Sequence, residues 1–191
     1  MQSLKLYFSP GSSSMAPHIA LHEIGVPFEP RPVSFARRET REPWFLALNP
    51  EGKVPVLVVD GRALTEVAGI LWYLAKRHPE AQLLAVDEAW AVSWMSFLAS
   101  TVHPAFQRGI ESARAAWALA EQRLGGAEWA LGPYSIVDIH LFRLFWRFRG
   151  RVEGAVDAYP RLEAHYARTM AREAVKRTIA AEAAIGYELP R

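Results

Sequence analysis

The chain has 191 residues, of which 51% are hydrophobic, 22% charged and 12% aromatic, enough for one large or two small domains with a core that needs no staples. The formal net charge is only +2, and the longest basic cluster is interrupted by acids (Arg37, Arg38, Glu39, Thr40, Arg41, Glu42), unlike the dense stripe of a nucleic-acid binder. There is no cysteine, which excludes disulfides, thiolate metal sites and a cysteine nucleophile and fits a reducing compartment.

Leu4 to Phe8 reads as a short strand. Ser9-Pro10-Gly11-Ser12-Ser13-Ser14 is a turn cluster. Ala16, Ile19, Ala20 and Ile24 then recur at helical spacing, with Ser13 or Ser14 as N-cap, Pro17 in the first turn and Gly25 as the stop. Val26 to Phe35 reads as a second strand, held to an edge by Pro30 and Pro32. Residues 41–48 form a short helix before the turn Asn49-Pro50-Glu51-Gly52. Val54 to Val59 is an apolar strand, Asp60-Gly61 a hairpin turn and Arg62 to Leu64 its return. Glu66 to Arg77 is helical, and Pro79 follows it. Strand, helix, strand, helix, strand, strand, helix is the order of a small mixed sheet covered by helices.

Residues 80–87 read as a linker. From there the pattern is helical: Glu88 to Ala105, Ile110 to Leu124, Ser135 through Phe148, a helix opened by Pro160 that runs to Met170, and a last one over about 172–184. Ser135-Ile136-Val137-Asp138 is a capping box. The start, Met1 to Phe8, lacks the organisation of a signal peptide, and no apolar run reaches the roughly 20 residues of a membrane span. A cytoplasmic protein with no nucleic-acid or membrane partner is the expectation. His18, His22, His140 and His165 show no metal-ligand spacing, so no metal is assigned.

Several of these pieces together resemble the cytosolic glutathione transferases, most closely the bacterial beta-like group. They are Leu6-Tyr7-Phe8-Ser9-Pro10-Gly11 with Ala16-Pro17-His18-Ile19-Ala20-Leu21; Asn49-Pro50-Glu51-Gly52-Lys53-Val54-Pro55-Val56-Leu57; Leu64-Thr65-Glu66; Ile70 with Tyr73-Leu74; Trp129 with Gly132; and Ser135 to Asp138 with Leu141-Phe142. The resemblance implies an α/β N-terminal thioredoxin-like domain over 1–79 that holds glutathione. It also implies an all-α C-terminal helical domain over 88–191 that holds a second, hydrophobic substrate. A homodimer is the family expectation.

Glutathione chemistry requires its backbone to be held and its thiol, ordinarily near pKa 8.5, to be ionised. A hydroxyl donating to the sulfur from a helix N-terminus achieves this. The beta-like group carries a cysteine at the position of Ser13 and a tyrosine at that of Phe8, and both are absent here. Ser13, and after it Ser12, are the candidate activators, with a turn-shaping, helix-capping role as the alternative. Val54-Pro55 resembles the family's cis-proline dipeptide, whose first residue pairs with the cysteinyl part of glutathione like an added strand. Thr65-Glu66 matches the segment that binds the γ-glutamyl end, with the Glu66 carboxylate on the ammonium and the Val67 N–H on the carboxylate. Lys53, and less directly Arg37 or Arg38, are candidates for the glycyl carboxylate.

His103 matches a histidine that faces the active site in the beta-like group, and Ser96 and Phe106, with Phe8, are candidates for the hydrophobic substrate pocket. The function implied is conjugation of glutathione to small electrophilic, hydrophobic compounds. Two alternatives stand beside it: a glutathione-dependent isomerase of the zeta-like type, which also carries a serine-rich loop, and a non-catalytic member that binds ligands or proteins.

Overall fold

The computed structural model describes residues 3–84 and 86–188. Met1 and Gln2 of the expected leaderless start, Ala85 of the expected linker and the last three residues of the expected helical domain lie outside them. The chain divides into two compact units, one comprising residues through Arg77 together with those from Glu173, the other His78–Arg172.

The first unit is built on a four-stranded sheet of order β2-β1-β3-β4, with β1 Leu4–Phe8, β2 Glu29–Pro32, β3 Val56–Val59 and β4 Arg62–Leu64. Leu4, Leu6 and Phe8 alternate along β1 and are buried on one face, as a two-residue period dictates. β1 pairs in parallel with β2, Leu6 opposite Pro30, and antiparallel with β3, Leu6 opposite Leu57. The strand expected over Val26–Phe35 shortens to four residues, because Pro30 and Pro32 cannot donate to a ladder. Between β3 and β4, Asp60 and Gly61 both have positive φ, 47° and 83°, the backbone a tight hairpin demands.

Helix α1, Met15–Ile24, connects β1 to β2 and ends at Gly25, whose φ is 76°. A short α2, Pro43–Leu46, buries Phe45 against Val33, Val54 and Val56. Gly52 is needed where it stands: its φ is +63° and a Cβ there would lie 2.7 Å from the Thr40 carbonyl oxygen. α3, Val67–Arg77, starts one residue later than its expected start at Glu66. The last helix was expected in the helical domain. It packs instead against α1 and belongs to the first unit.

The second unit holds α4 Glu88–Phe97, α5 His103–Ala105, α6 Ile110–Leu124, α7 Ile136–Arg149, α8 Ala155–Ala158 and α9 Pro160–Met170; α10, of the first unit, is Glu173–Ile185. Asp87 caps α4 by accepting from the Ala89 and Trp90 amides. The single helix expected over Glu88–Ala105 is not continuous. Leu98–Val102 opens into a wider π turn before α5, close to Pro104, which has no N–H to give an α-helical ladder. The Ser135–Asp138 capping box is present. Asp138, fully buried, accepts from the Ser135 amide at 2.9 Å, the Ser135 hydroxyl at 3.0 Å and the Ala130 amide at 2.8 Å, and bonds His165 Nε2 at 3.0 Å. Around α7, Trp117 packs on Phe145 and Phe148 with ring centroids 5.2 and 5.3 Å apart.

Candidate functional site

The Ser9–Ser14 turn is organised by its own hydroxyls. Ser14 Oγ accepts from the Ser9 amide and donates to the Ser9 carbonyl, each at 3.1 Å. Its one proton is thus used, so at the 2.6 Å contact between them it is Ser12 that donates to Ser14. Ser14 stands at the N-cap of α1 but makes no side-chain cap bond, since its hydroxyl is turned back into the loop. Ser12 is 4% exposed and also accepts from the Ser14 amide at 3.2 Å. Ser13 is different. It is half-buried, and its hydroxyl donates out of the loop to the Val54 carbonyl at 3.0 Å.

Val54–Pro55 is the cis peptide bond of the chain's described residues, and the hydrogen bond from Ser13 places this dipeptide beside the serine loop. Glu66 is the third element. It is exposed, its φ is 65°, and its carbonyl accepts the first bond of α3 from Ile70. A left-handed conformation at a residue other than glycine is uncommon and clusters at ligand clamps. Val67 follows it as the buried first residue of α3. Lys53 is exposed and pairs with Glu51 at 2.6 Å, which raises its pKa, with the Glu66 carboxylate as a smaller contributor. Arg37 is likewise exposed and paired, with Glu39.

The loop is held from beneath by a residue that motif reading passed over. Glu182 on α10 is fully buried, accepts from the Gly11 amide at 2.7 Å and bonds His18 Nδ1 at 2.9 Å. Its only signal is the spacing Ala174, Thr178, Glu182, one face of α10, all buried. Next along that face, His22 Nδ1 meets Thr178 Oγ1 at 2.8 Å, and Thr178 gives its proton to the Ala174 carbonyl. His22 is therefore the donor of that pair. Burial, then His18 and Arg177, lower its pKa to about 4.

Phe8, expected on the hydrophobic substrate pocket, belongs to the core: it is 1% exposed, with its ring 4.7 Å from that of His18. A large apolar residue at the end of a buried strand face satisfies the motif and the core alike, and here the core holds it. In the second unit, His103 and Phe106 lie together on one cavity of about 200 Å³. Ser96 is exposed on α4, its carbonyl accepting from Ser100, and is not among the residues lining that cavity. Among the described residues no cluster of His, Asp and Glu has the makings of a metal site.

A turn of serines at a helix start, a cis-proline dipeptide leading into β3 and a left-handed glutamate opening α3 stand on a thioredoxin-like mixed sheet. The chain belongs to the glutathione S-transferase family. Residues 12–77 match the family's N-terminal domain. A glutathione S-transferase of Xanthomonas campestris is 32% identical over 94% of this chain and 98% of its own. The beta-class enzyme of Sphingomonas chungbukensis superposes with a TM-score of 0.80, at 35% identity over 93% of this chain and 98% of its own. A glutathione transferase homologue from Sulfitobacter, solved with bound glutathione, gives 0.83 at 32% identity over 97% and 99%.

Proposed function

We propose that this chain is a glutathione transferase that conjugates glutathione to small electrophilic, hydrophobic compounds, with Ser13 as the group that holds the reacting sulfur. The observation that carries the reading is the Ser13–Val54 hydrogen bond, 3.0 Å long. It joins the loop suited to the thiol and the strand suited to the peptide backbone.

When an extended tripeptide pairs with Val54 like an added strand, its N–H donates to the Val54 carbonyl. The Ser13 hydroxyl is then replaced at that acceptor and its proton turns to the sulfur. A charge-assisted bond of this kind favours the thiolate and lowers the thiol pKa. Ser12, whose proton is used inside the loop, shapes the turn and does not compete. Glu66 takes the γ-glutamyl ammonium, the Val67 N–H its carboxylate, and Lys53 exchanges Glu51 for the glycyl carboxylate. His103 and Phe106, on the second unit's cavity, serve the second substrate.

A homodimer fits an apolar groove between the end of β4 and α3, lined by Leu64, Trp72 and Tyr73 with Lys76 and Arg77, and sedimentation checks it. Cytoplasmic detoxification is the role such chemistry serves. Calorimetric titration of glutathione, with Ser13→Ala and Glu66→Ala beside the wild type, tests the whole reading. Glu66→Ala is expected to weaken binding. Ser13→Ala is expected to keep most affinity and lose the ultraviolet absorbance of the bound thiolate. A wild type that ignores millimolar glutathione overturns the proposal.

A further inference from the structure

The loop that leaves β2 is tied down by a carboxylate 154 positions away in the same unit. Glu188, in the segment that follows α10, accepts the Ser34 hydroxyl on its two oxygens at 2.8 and 2.9 Å and the Ala36 amide at 3.0 Å. The Ala36 amide first, and the Ser34 hydroxyl next, hold its pKa below the ordinary carboxylate range, with Arg37 a smaller contributor. Ser34 is buried. Its one hydroxyl proton goes to Glu188, so its oxygen is left to accept from the Arg37 amide at 3.0 Å. The Glu39 carboxylate closes the loop from inside, accepting from the Ser34 amide at 2.7 Å and from Arg37 Nε at 2.9 Å. Arg37 is thus fixed at its amide through Ser34 and at its side chain through Glu39. That side chain is still 72% exposed, and its two terminal nitrogens remain for a further acceptor.

The loop borders the segment on which the glutathione reading depends. Val33 and Phe35 pack with Val54 in one apolar cluster. Further on, the Thr40 carbonyl lies against Gly52, and Arg41 Nη1 donates to the Glu51 carbonyl at 3.3 Å. Residues 33–41 therefore run alongside residues 51–54. A tripeptide with its cysteinyl part on Val54 and its γ-glutamyl end at Glu66 leaves its glycyl end to the cations beside Val54, which are Lys53 and Arg37. We propose that Glu188 is a positioning residue for glutathione: by fixing the Ser34 hydroxyl it sets the loop that presents the Arg37 guanidinium to the glycyl carboxylate. The inference rests on the glutathione reading of the first unit and adds to it a residue that does not touch the ligand. A clamp of purely structural use would move all ligands alike. This one acts on a ligand with a free glycyl carboxylate, because the planar guanidinium fork grips a carboxylate with two parallel hydrogen bonds.

The test is calorimetric titration of the full chain with glutathione and with its monoethyl ester, in which the glycyl carboxylate is masked. The wild type is expected to bind the free acid about tenfold more tightly than the ester. Glu188→Ala is expected to cut that preference to about threefold, through weaker binding of the acid with the ester unchanged. Arg37→Gln is expected to cut it at least as far, and Glu188→Ala added to Arg37→Gln to change nothing more. If thermal melting shows that Glu188→Ala does not fold, Ser34→Ala, which removes the same link from its other end, carries the comparison. A Glu188→Ala protein that keeps the full preference, or loses acid and ester alike, overturns the inference and leaves the glutathione reading standing. So does a wild type that binds acid and ester equally. A wild type that binds neither overturns both.

Discussion

The two units build their sites from opposite materials. In the first, the candidate site is mostly backbone and hydroxyl: a serine turn, a cis-proline carbonyl and a left-handed glutamate, braced by one buried carboxylate from α10. In the second, the cavity is lined largely by arginine and aromatic residues, from α6, α7 and the turns beside them. Backbone sites demand special residues at fixed places, whereas side-chain cavities draw on residues common on any helix. The first kind is therefore rigid in kind and local in sequence, and the second is free to vary in what it admits.

The comparison breaks most sharply where a unit loses its buried polar anchor. Asp138 and Glu182 play matching parts, each a fully buried carboxylate tying a helix to a loop. Asp138→Ala leaves the Ser135 and Ala130 donors and His165 without their acceptor, and the expected loss is about 3–5 kcal/mol in urea unfolding. Glutathione affinity in whatever fraction remains folded should be unchanged, since the hydrogen bonds of Asp138 all belong to the second unit.

Acid gives the next largest effect, and both units contribute to it. His140 is buried on α7, its Nδ1 has no hydrogen-bond partner among the described residues, and burial, then Arg143 and His103, lower its pKa to about 3. His22 is lowered to about 4. Both folded values lie below the ordinary 6.5, so the unfolded chain takes up protons first. The stability these groups contribute is complete above pH 6.5 and lost as pH falls toward 4 and then 3. For His140 the slope approaches about 1.4 kcal/mol per pH unit, and for the half-exposed His22 it is smaller. His140→Phe should flatten the fall in urea midpoint between pH 7 and 4.5, and an unchanged slope would assign the acid sensitivity elsewhere.

Glu182→Gln comes third. The amide keeps the shape but offers one acceptor where Gly11 and His18 used two, so a donor is orphaned at a cost of about 1–2 kcal/mol. The serine loop loses its brace, and glutathione affinity should fall by roughly tenfold. Retained affinity would show that the loop holds its shape without α10.

What the sequence disclosed follows the same division. The Asp60-Gly61 hairpin, the Gly25 stop and the Ser135–Asp138 box were legible because each is a local rule about φ or a cap, written in neighbouring residues, whereas the cis Val54–Pro55 bond was legible only through the family resemblance. Glu182 was not legible, because its partner Gly11 lies 171 positions away and nothing local to an Ala-rich helix announces a buried carboxylate. The arginine cavity was missed for a related reason. Arg143, Arg147 and Arg151 read as an ordinary charged helix face until Trp117 and Phe106 from other elements enclose it. Phe8 misled in the other direction, because a motif position and a core position coincided and the core had the stronger claim. The break of the long helix at Leu98–Val102 was signalled only by Pro104, and a proline tells that a ladder bond is missing without telling how the turn absorbs it.

The smallest effect sharpens the comparison most, because stability and binding should move in opposite directions. Glu66 holds a φ of 65°, and the left-handed region costs a residue with a Cβ roughly 1–2 kcal/mol. Glu66→Gly removes that cost and adds some unfolded-chain entropy, so the net gain expected is about 0.5–1 kcal/mol in thermal or urea unfolding. Glu66→Ala keeps the Cβ and gains nothing. Both variants lack the carboxylate proposed to meet the γ-glutamyl ammonium, and both should bind glutathione more weakly. A glycine variant that is more stable and binds less well identifies Glu66 as a residue kept in an unfavourable backbone for the sake of its carboxylate. A glycine variant with no gain removes the strain argument, and one with undiminished affinity removes the carboxylate from the site, whichever way its stability moves.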